Sequence, residues 1–250
     1  MKNNSLIPVD FTAAEVEQEL EELLKDPVVP PKQKSDAQSI GTIDAVPADN
    51  GSTKTQEDWI TNYWPSVRDG RIMASMGDYY LLFKQMKHDS EHGNTQQKAS
   101  VQTLLANYQK DFTDTWLIAG TRISYNTTSL DAKIIQHYGC NQPKLITESN
   151  LTIPIYRGAI IADVTKESAG LKYLQALLNT TDTAENIIGT LEFISGKPRN
   201  QIKVWSAATS GDYTRSSHPE RAAGFLYLNS EFHFYGGYII NQGRSRGVRR

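Results

Sequence analysis

The chain has 250 residues, a formal net charge of −2 and 22% charged residues, enough for one large domain with a sizeable core, or one domain and an arm. No apolar run approaches the ~18 residues of a membrane-spanning helix, and the near-neutral balance gives no overall basic excess to draw nucleic acid. Cys140 is the only cysteine, which excludes an intrachain disulfide and a multi-cysteine zinc site.

The first residues, MKNNSLIPVDF, carry no apolar signal-peptide core, so neither export nor a compartment is written in them. Residues 12–25 read as a helix. Thr12 and Glu15 have capping-box spacing, and Val16, Leu20, Leu23 and Leu24 form one apolar stripe. Its other face is acidic, a solvated face or a docking arm. Pro27, Pro30 and Pro31 stop the helix, and residues 27–55 read as a linker or long loop. The predicted organisation is therefore an acidic helical arm and linker over 1–55 and a compact domain over 56–250.

Trp59, Tyr63 and Trp64 open the compact part as core aromatics. Ser75 can cap a helix carrying Tyr79, Leu82, Phe83 and Met86. After a polar loop at HDSEHGN a second helix carries Val101, Leu104, Leu105 and Tyr108, making an antiparallel pair. TWLIAGTRISY and NLTIPIYRG then read as buried strands, with LDAKIIQHYG ambiguous between them. Two helices follow: KESAGLKYLQALLN, burying Leu171, Leu174, Leu177 and Leu178, and DTAENIIGTLEFISG, burying Ile187, Ile188, Leu191 and Ile194, with Gly196 as its stop. From Gln201 the chain is strand and turn: IKVWSA, AAGFLYL, EFHFY, GYII and RGVRR. Helices, strands, helices, then strands is an α+β order.

There is no P-loop and no G-x-G-x-x-G. His88 and His92 have the i, i+4 spacing of a metal-binding pair if helical. Gly93 and Asn94 follow at once and the segment reads as a polar loop, so no metal, cofactor or enzymatic activity is expected. Between Gly196 and Arg250 nine Lys/Arg stand against three acids, a local net charge of +6. Aromatics interleaved with cations on strands suit single-stranded nucleic acid, which makes such a binder the alternative function.

Residues 205–241 hold 8 aromatics in 37 positions: Trp205, Tyr213, Phe225, Tyr227, Phe232, Phe234, Tyr235 and Tyr238. They stand among Gly, Asn, Ser and His rather than Val, Ile and Leu, which is the composition of a paratope. From Phe225 to Gly243 all residues except Glu231 and Gln242 belong to the set encoded by NNT or NNC codons, as expected if asparagine codons were randomised at their adenines. Strand alternation turns Phe232 and Phe234 to the core and Glu231, His233 and Tyr235 to solvent, because Glu231 is costly to bury. Gly236 and Gly237 then form a turn or bulge, beyond which Tyr238 and Asn241 are exposed again. Asp212, Tyr213, Tyr227, Asn229 and Ser230 complete one ligand-binding patch.

VWSAAT, HPERAAGFLYL, a glycine-broken polar-aromatic strand and GRSRGVRR, over residues 201–250, resemble the variable region of proteins targeted by diversity-generating retroelements, above all the archaeal subclass. The resemblance implies a C-type lectin-like domain, helices flanking a small, mostly antiparallel twisted sheet, with the variable region at about 205–250. It implies a non-enzymatic display protein that binds a macromolecule, a protein or cell-surface ligand, through diversified positions. WSA, PERAAGF and GRSRGVR would be the constant frame, with Trp205 and Phe225 in the core and Arg221, Arg244 and Arg246 anchoring backbone or acids. The calcium motifs of sugar-binding C-type lectins are absent, so calcium-dependent sugar binding is not carried over.

Overall fold

The structure is a computed structural model and describes residues 43–67, 70–125, 132–139, 144–146, 156, 158–206 and 220–249. The acidic helix expected at 12–25 and most of NLTIPIYRG lie outside the described residues.

The domain opens with a helical segment built of Gln56–Asp58, a π-helical turn over Trp59–Tyr63, and Trp64–Val67. Thr55 caps it by accepting from the Asp58 N–H. The π turn lets Tyr63 meet Trp59 and Trp64 edge-on at 4.9 and 5.0 Å. The indole of Trp59 donates to the Gly243 carbonyl at 2.8 Å. Strand β1 (Arg71–Met73) follows, then helix α1 (Met76–His92) and helix α2 (Thr95–Asp114). Both helices begin with complete capping boxes, Ser75 with Asp78 and Asn94 with Gln97. The expected polar loop over HDSEHGN is thus corrected: α1 runs to His92 and only Gly93 and Asn94 connect the pair. Asn94 caps the second helix, so the turn chemistry there marks a helix start and not a long loop.

Strands β2 (Leu117–Tyr125), β3 (Ala132–Gln136) and β4 (Lys144–Ile146) come next, so the ambiguous LDAKIIQHYG contributes a strand. A two-residue strand β5 (Ala159–Ile160) leads into α3 (Ile161–Val164), α4 (Ser168–Leu177) and α5 (Ala184–Ser195). Gly196 ends α5 in the left-handed region at φ 62°, the stop its sequence position implied. The chain closes with β6 (Ile202–Val204), β7 (Glu220–Leu228), β8 (Glu231–Tyr238) and β9 (Gly247–Arg249).

Seven strands form one sheet in the order β4-β3-β2-β7-β8-β6-β5, antiparallel except for β6 with β8. The fold is α+β, with β7 and β8 inside the sheet. Successive β7 residues serve two cores, as strand alternation requires. Ala223 and Phe225 face the helices, whereas Ala222 faces Trp59, Trp64, Trp116 and Ile118. On the helical side Phe225 packs against Tyr79 and Phe83 at 5.8 and 5.6 Å, and Phe112 meets Phe232 at 5.1 Å. Gly224 is required on the other side, where a Cβ would lie 2.0 Å from the Trp116 indole nitrogen.

A second, two-stranded sheet pairs β1 with β9, and Val248 is bridged on its other side by Ile43. Residues 43–54, read above as linker, run along the C-terminal segment. The Asp44 and Ala48 N–H groups donate to the Gly247 and Ser245 carbonyls at 2.9 and 2.8 Å, and Lys54 bridges Gly243.

Candidate binding face on the C-terminal hairpin

Strands β7 and β8 form a hairpin closed by Asn229 and Ser230, both at positive φ, 51° and 67°. That two-residue geometry matches the right-handed twist of the strands, and asparagine tolerates it best among residues with a side chain. Leu228 pairs Glu231 across the turn, and both turn side chains are exposed. The ladder then runs unbroken from Tyr227↔Phe232 to Arg221↔Tyr238. This corrects the turn or bulge expected at Gly236 and Gly237, which stay in register opposite Ala223 and Ala222. A glycine pair weakens a strand, but here the backbone groups face a continuous partner in β7.

The inward face is as alternation indicates: Phe232 is fully buried and Phe234 nearly so. The outward face is not open to water. His233 is only 4% exposed, which corrects its assignment to the display surface. The cover comes from β6, which lies parallel beside β8 and places Lys203 opposite His233. The next residue but one, Trp205, donates its indole N–H to His233 Nδ1 at 2.7 Å. Burial pushes the His233 pKa below its ordinary value, against a smaller opposing pull from nearby acceptors and Glu231. An imidazole that accepts at Nδ1 carries its proton at Nε2, which faces Glu231 Oε2 at 3.7 Å. Glu231 itself is half-buried and pairs with Lys203 at 3.3 Å. Trp205, expected in the core, is only half-buried, because it roofs His233 from outside.

Tyr227 is the second correction. It shares the parity of Phe225, faces the helices, and lies 5.8 Å from Phe112 and 5.6 Å from Phe232. Its hydroxyl donates to the Ser195 carbonyl at the end of α5, and burial lifts its pKa to about 12. It pins the hairpin to the helix and does not point to solvent.

At the other end of the hairpin the Arg221 guanidinium lies over the Tyr238 ring at 4.6 Å. The Asn241 N–H closes a turn onto the Tyr238 carbonyl at 3.0 Å, and both side chains are half-buried. Asp212, Tyr213 and the Tyr235 side chain lie outside the described residues. The described candidates therefore fall into two groups, Asn229 with Ser230 at the tip and Tyr238 with Asn241 at the base. Eight residues of strand, about 25 Å, separate them. Each group has an exposed apolar neighbour that the sequence reading passed over, Leu228 at 45% and Ile240 at 75%. The second isoleucine of GYII, beyond the end of the paired strand, was the available signal.

The segments on either side of this hairpin are fixed by buried charge. Arg246 is fully buried, its Nε donating to Asp111 Oδ2 at 3.1 Å and its Nη1 to the Asp44 carbonyl at 2.8 Å. Arg244 donates to the Gly51 carbonyl at 3.0 Å and to Asp111 and Asp114 at 3.1 Å each. Arg122 of β2 is buried under Tyr138, its guanidinium 3.9 Å from the ring centre, and reaches Gln56, Glu57 and Glu220. Other cations of the +6 segment are also engaged: Arg199 with Glu185 and Glu192, and Lys203 with Glu231.

Among the described residues no group of three or more His, Cys, Asp or Glu is placed to hold a metal ion, and no helix is long and apolar enough to cross a membrane. A cavity of about 240 Å³ lined by Ile60, Trp64, Arg71, Met73, His137 and Tyr138 lies among residues outside the hairpin. In comparisons with known proteins the chain matches no family model, no curated protein and no solved structure.

Proposed function

We propose that the chain is a non-enzymatic display protein whose C-terminal hairpin and its adjoining loops carry a diversified surface for a macromolecular ligand, a protein or cell-surface partner. In this reading the α+β domain is a C-type lectin-like platform of the kind diversity-generating retroelements target. The pairing of β1 with β9, which brings the two ends of the domain together, supports that platform. The observation that carries the reading is the contrast within residues 201–250. GRSRGVR is held by Arg244 and Arg246 on Asp111, PERAAGF packs Ala222, Ala223 and Phe225 into two cores, and Asn229, Ser230 and Ile240 between these frame motifs are exposed. A rigid frame around exposed, replaceable positions is what a variable binding surface needs.

The test is the DNA beside the gene. The reading expects a near-copy of the 3′ coding end that differs only at adenine positions, next to a reverse-transcriptase gene. A flanking region with neither, in the organism that carries the gene, overturns it.

A further inference from the structure

The outer end of the α1–α2 pair has no part in the hairpin. There HDSEH is helix, the last turn and a half of α1, so His88 and His92 stand on one helical face, one turn apart. Their rings lie 4.9 Å apart, centre to centre, at an interplanar angle of 52°, and both side chains are exposed.

That spacing has a chemical meaning. An imidazole nitrogen binds a late divalent metal at about 2.1 Å, which puts the ring centre roughly 3.2 Å from the ion. Two rings at a cis angle between about 90° and 110° then have centres about 4.5–5.2 Å apart. The observed separation falls inside this window. The helix that fixes it is well ended, with the Gly93 N–H donating to the Asp89 carbonyl at 2.9 Å. Glu91 adds negative charge beside the pair, its Oε2 being 3.7 Å from His92 Nε2 and its Oε1 2.8 Å from Lys87.

We propose that His88 and His92 form a surface site for a late divalent transition-metal ion such as Zn²⁺, Ni²⁺ or Cu²⁺. Two imidazoles supply nitrogen donors, which these ions prefer and Ca²⁺ and Mg²⁺ do not. The remaining coordination positions stay open to water or to a donor from outside the chain.

The experiment is calorimetric titration of ZnCl₂ into the untagged full-length protein, alongside His88→Ala, His92→Ala, the double variant, and a swap, Ser90→His with His92→Ser. The swap keeps the composition and sets the two imidazoles at i, i+2, on different faces of the helix. Circular dichroism checks that each variant keeps its helix content. The expected result is one ion per chain in the parent. Each single variant and the swap should bind about 10- to 100-fold more weakly, because chelation is lost. The double variant should bind at least as weakly as either single. Zinc binding in the double variant or the swap equal to that of the parent, or no binding by the parent at millimolar zinc, overturns the site.

Discussion

Arg246 and Asp111, 135 residues apart in sequence, are joined by two charge-assisted hydrogen bonds from Nε and Nη2 to a single carboxylate oxygen, with both side chains buried. The other oxygen of Asp111 accepts from Arg244. One carboxylate on α2 thus holds Arg244 and Arg246 of the C-terminal motif, and the Tyr108 ring lies 4.2 Å from the Arg246 guanidinium.

Neutralising Asp111 leaves the buried Arg246 charge without its ion-pair partner, and removing Arg246 leaves the buried Asp111 with Arg244 as its remaining ion pair. Arg246→Met or Asp111→Asn should each destabilise the domain by about 3–5 kcal/mol. The joint change should cost clearly less than the sum. Arg249→Met, at an exposed position, should shift stability by no more than about 0.5 kcal/mol. Urea unfolding of the four variants decides the matter, and equal losses at Arg246 and Arg249 would refute the anchoring role.

The hairpin tip and the hairpin core should respond in opposite ways. Phe232→Ala removes a fully buried ring and should cost about 3–5 kcal/mol. Ser230→Gly relieves a positive φ and should be neutral or stabilising by up to about 1 kcal/mol. Asn229→Val, which forces a β-branched residue into the left-handed region, should cost about 1–2 kcal/mol. Thermal melts that rank these three differently would count against the two-residue turn.

His233 gives the domain an acid-sensitive element. Its pKa is lowered by burial, so above the ordinary histidine value both folded and unfolded chains are neutral there and it contributes no pH dependence. As the pH falls through that value, about 6.5, the unfolded chain takes up a proton the folded chain resists, and stability drops until the lower folded value is passed. His233→Asn keeps an acceptor for the Trp205 indole but cannot titrate. Its unfolding midpoint should therefore fall less than the parent's between pH 7 and pH 5.5, and parallel profiles would exclude the effect.

How much of this was legible in the sequence depends on how local the cause was. Ser75 with Asp78, Thr183 before α5 and Gly196 after it act within a few residues, and the helices they bound could be read off. Alternation correctly turned Phe232 and Phe234 inward. It could not say what covers the opposite face, because Trp205 arrives there from 28 residues earlier through a parallel neighbour. Tyr227 differs: alternation carried from Phe225 along β7 already turns it inward, and only its partner, the Ser195 carbonyl 32 residues away, lay beyond local reading. Gly236 and Gly237 showed a different limit. Turn preference is a local bias, and eight paired residues of β7 outweigh it.

The nucleic-acid alternative has a direct check. Arg199, Lys203, Arg244 and Arg246, four of the segment's nine cations, are paired with acids of the same chain, which reduces the charge they offer to phosphate. Single-stranded oligonucleotides should bind weakly and be lost between about 50 and 200 mM salt. Sub-micromolar affinity that persists at physiological salt, measured by fluorescence anisotropy, would favour that function over display.

The bridge between Ile43 and Val248 is antiparallel, so the chain enters and leaves this domain at the same place. A load applied between residues 43 and 249 pulls across that seam and not along it. Its backbone bonds would then fail one after another, as in a zip, and not together, as in a lap joint. The first bonds to part are those near Val248, and the next obstacle is the clasp of Arg246 and Arg244 on Asp111. The hairpin, whose ladder lies deeper in the chain, should feel the pull only after the β1–β9 pairs and the clasp on Asp111 have opened.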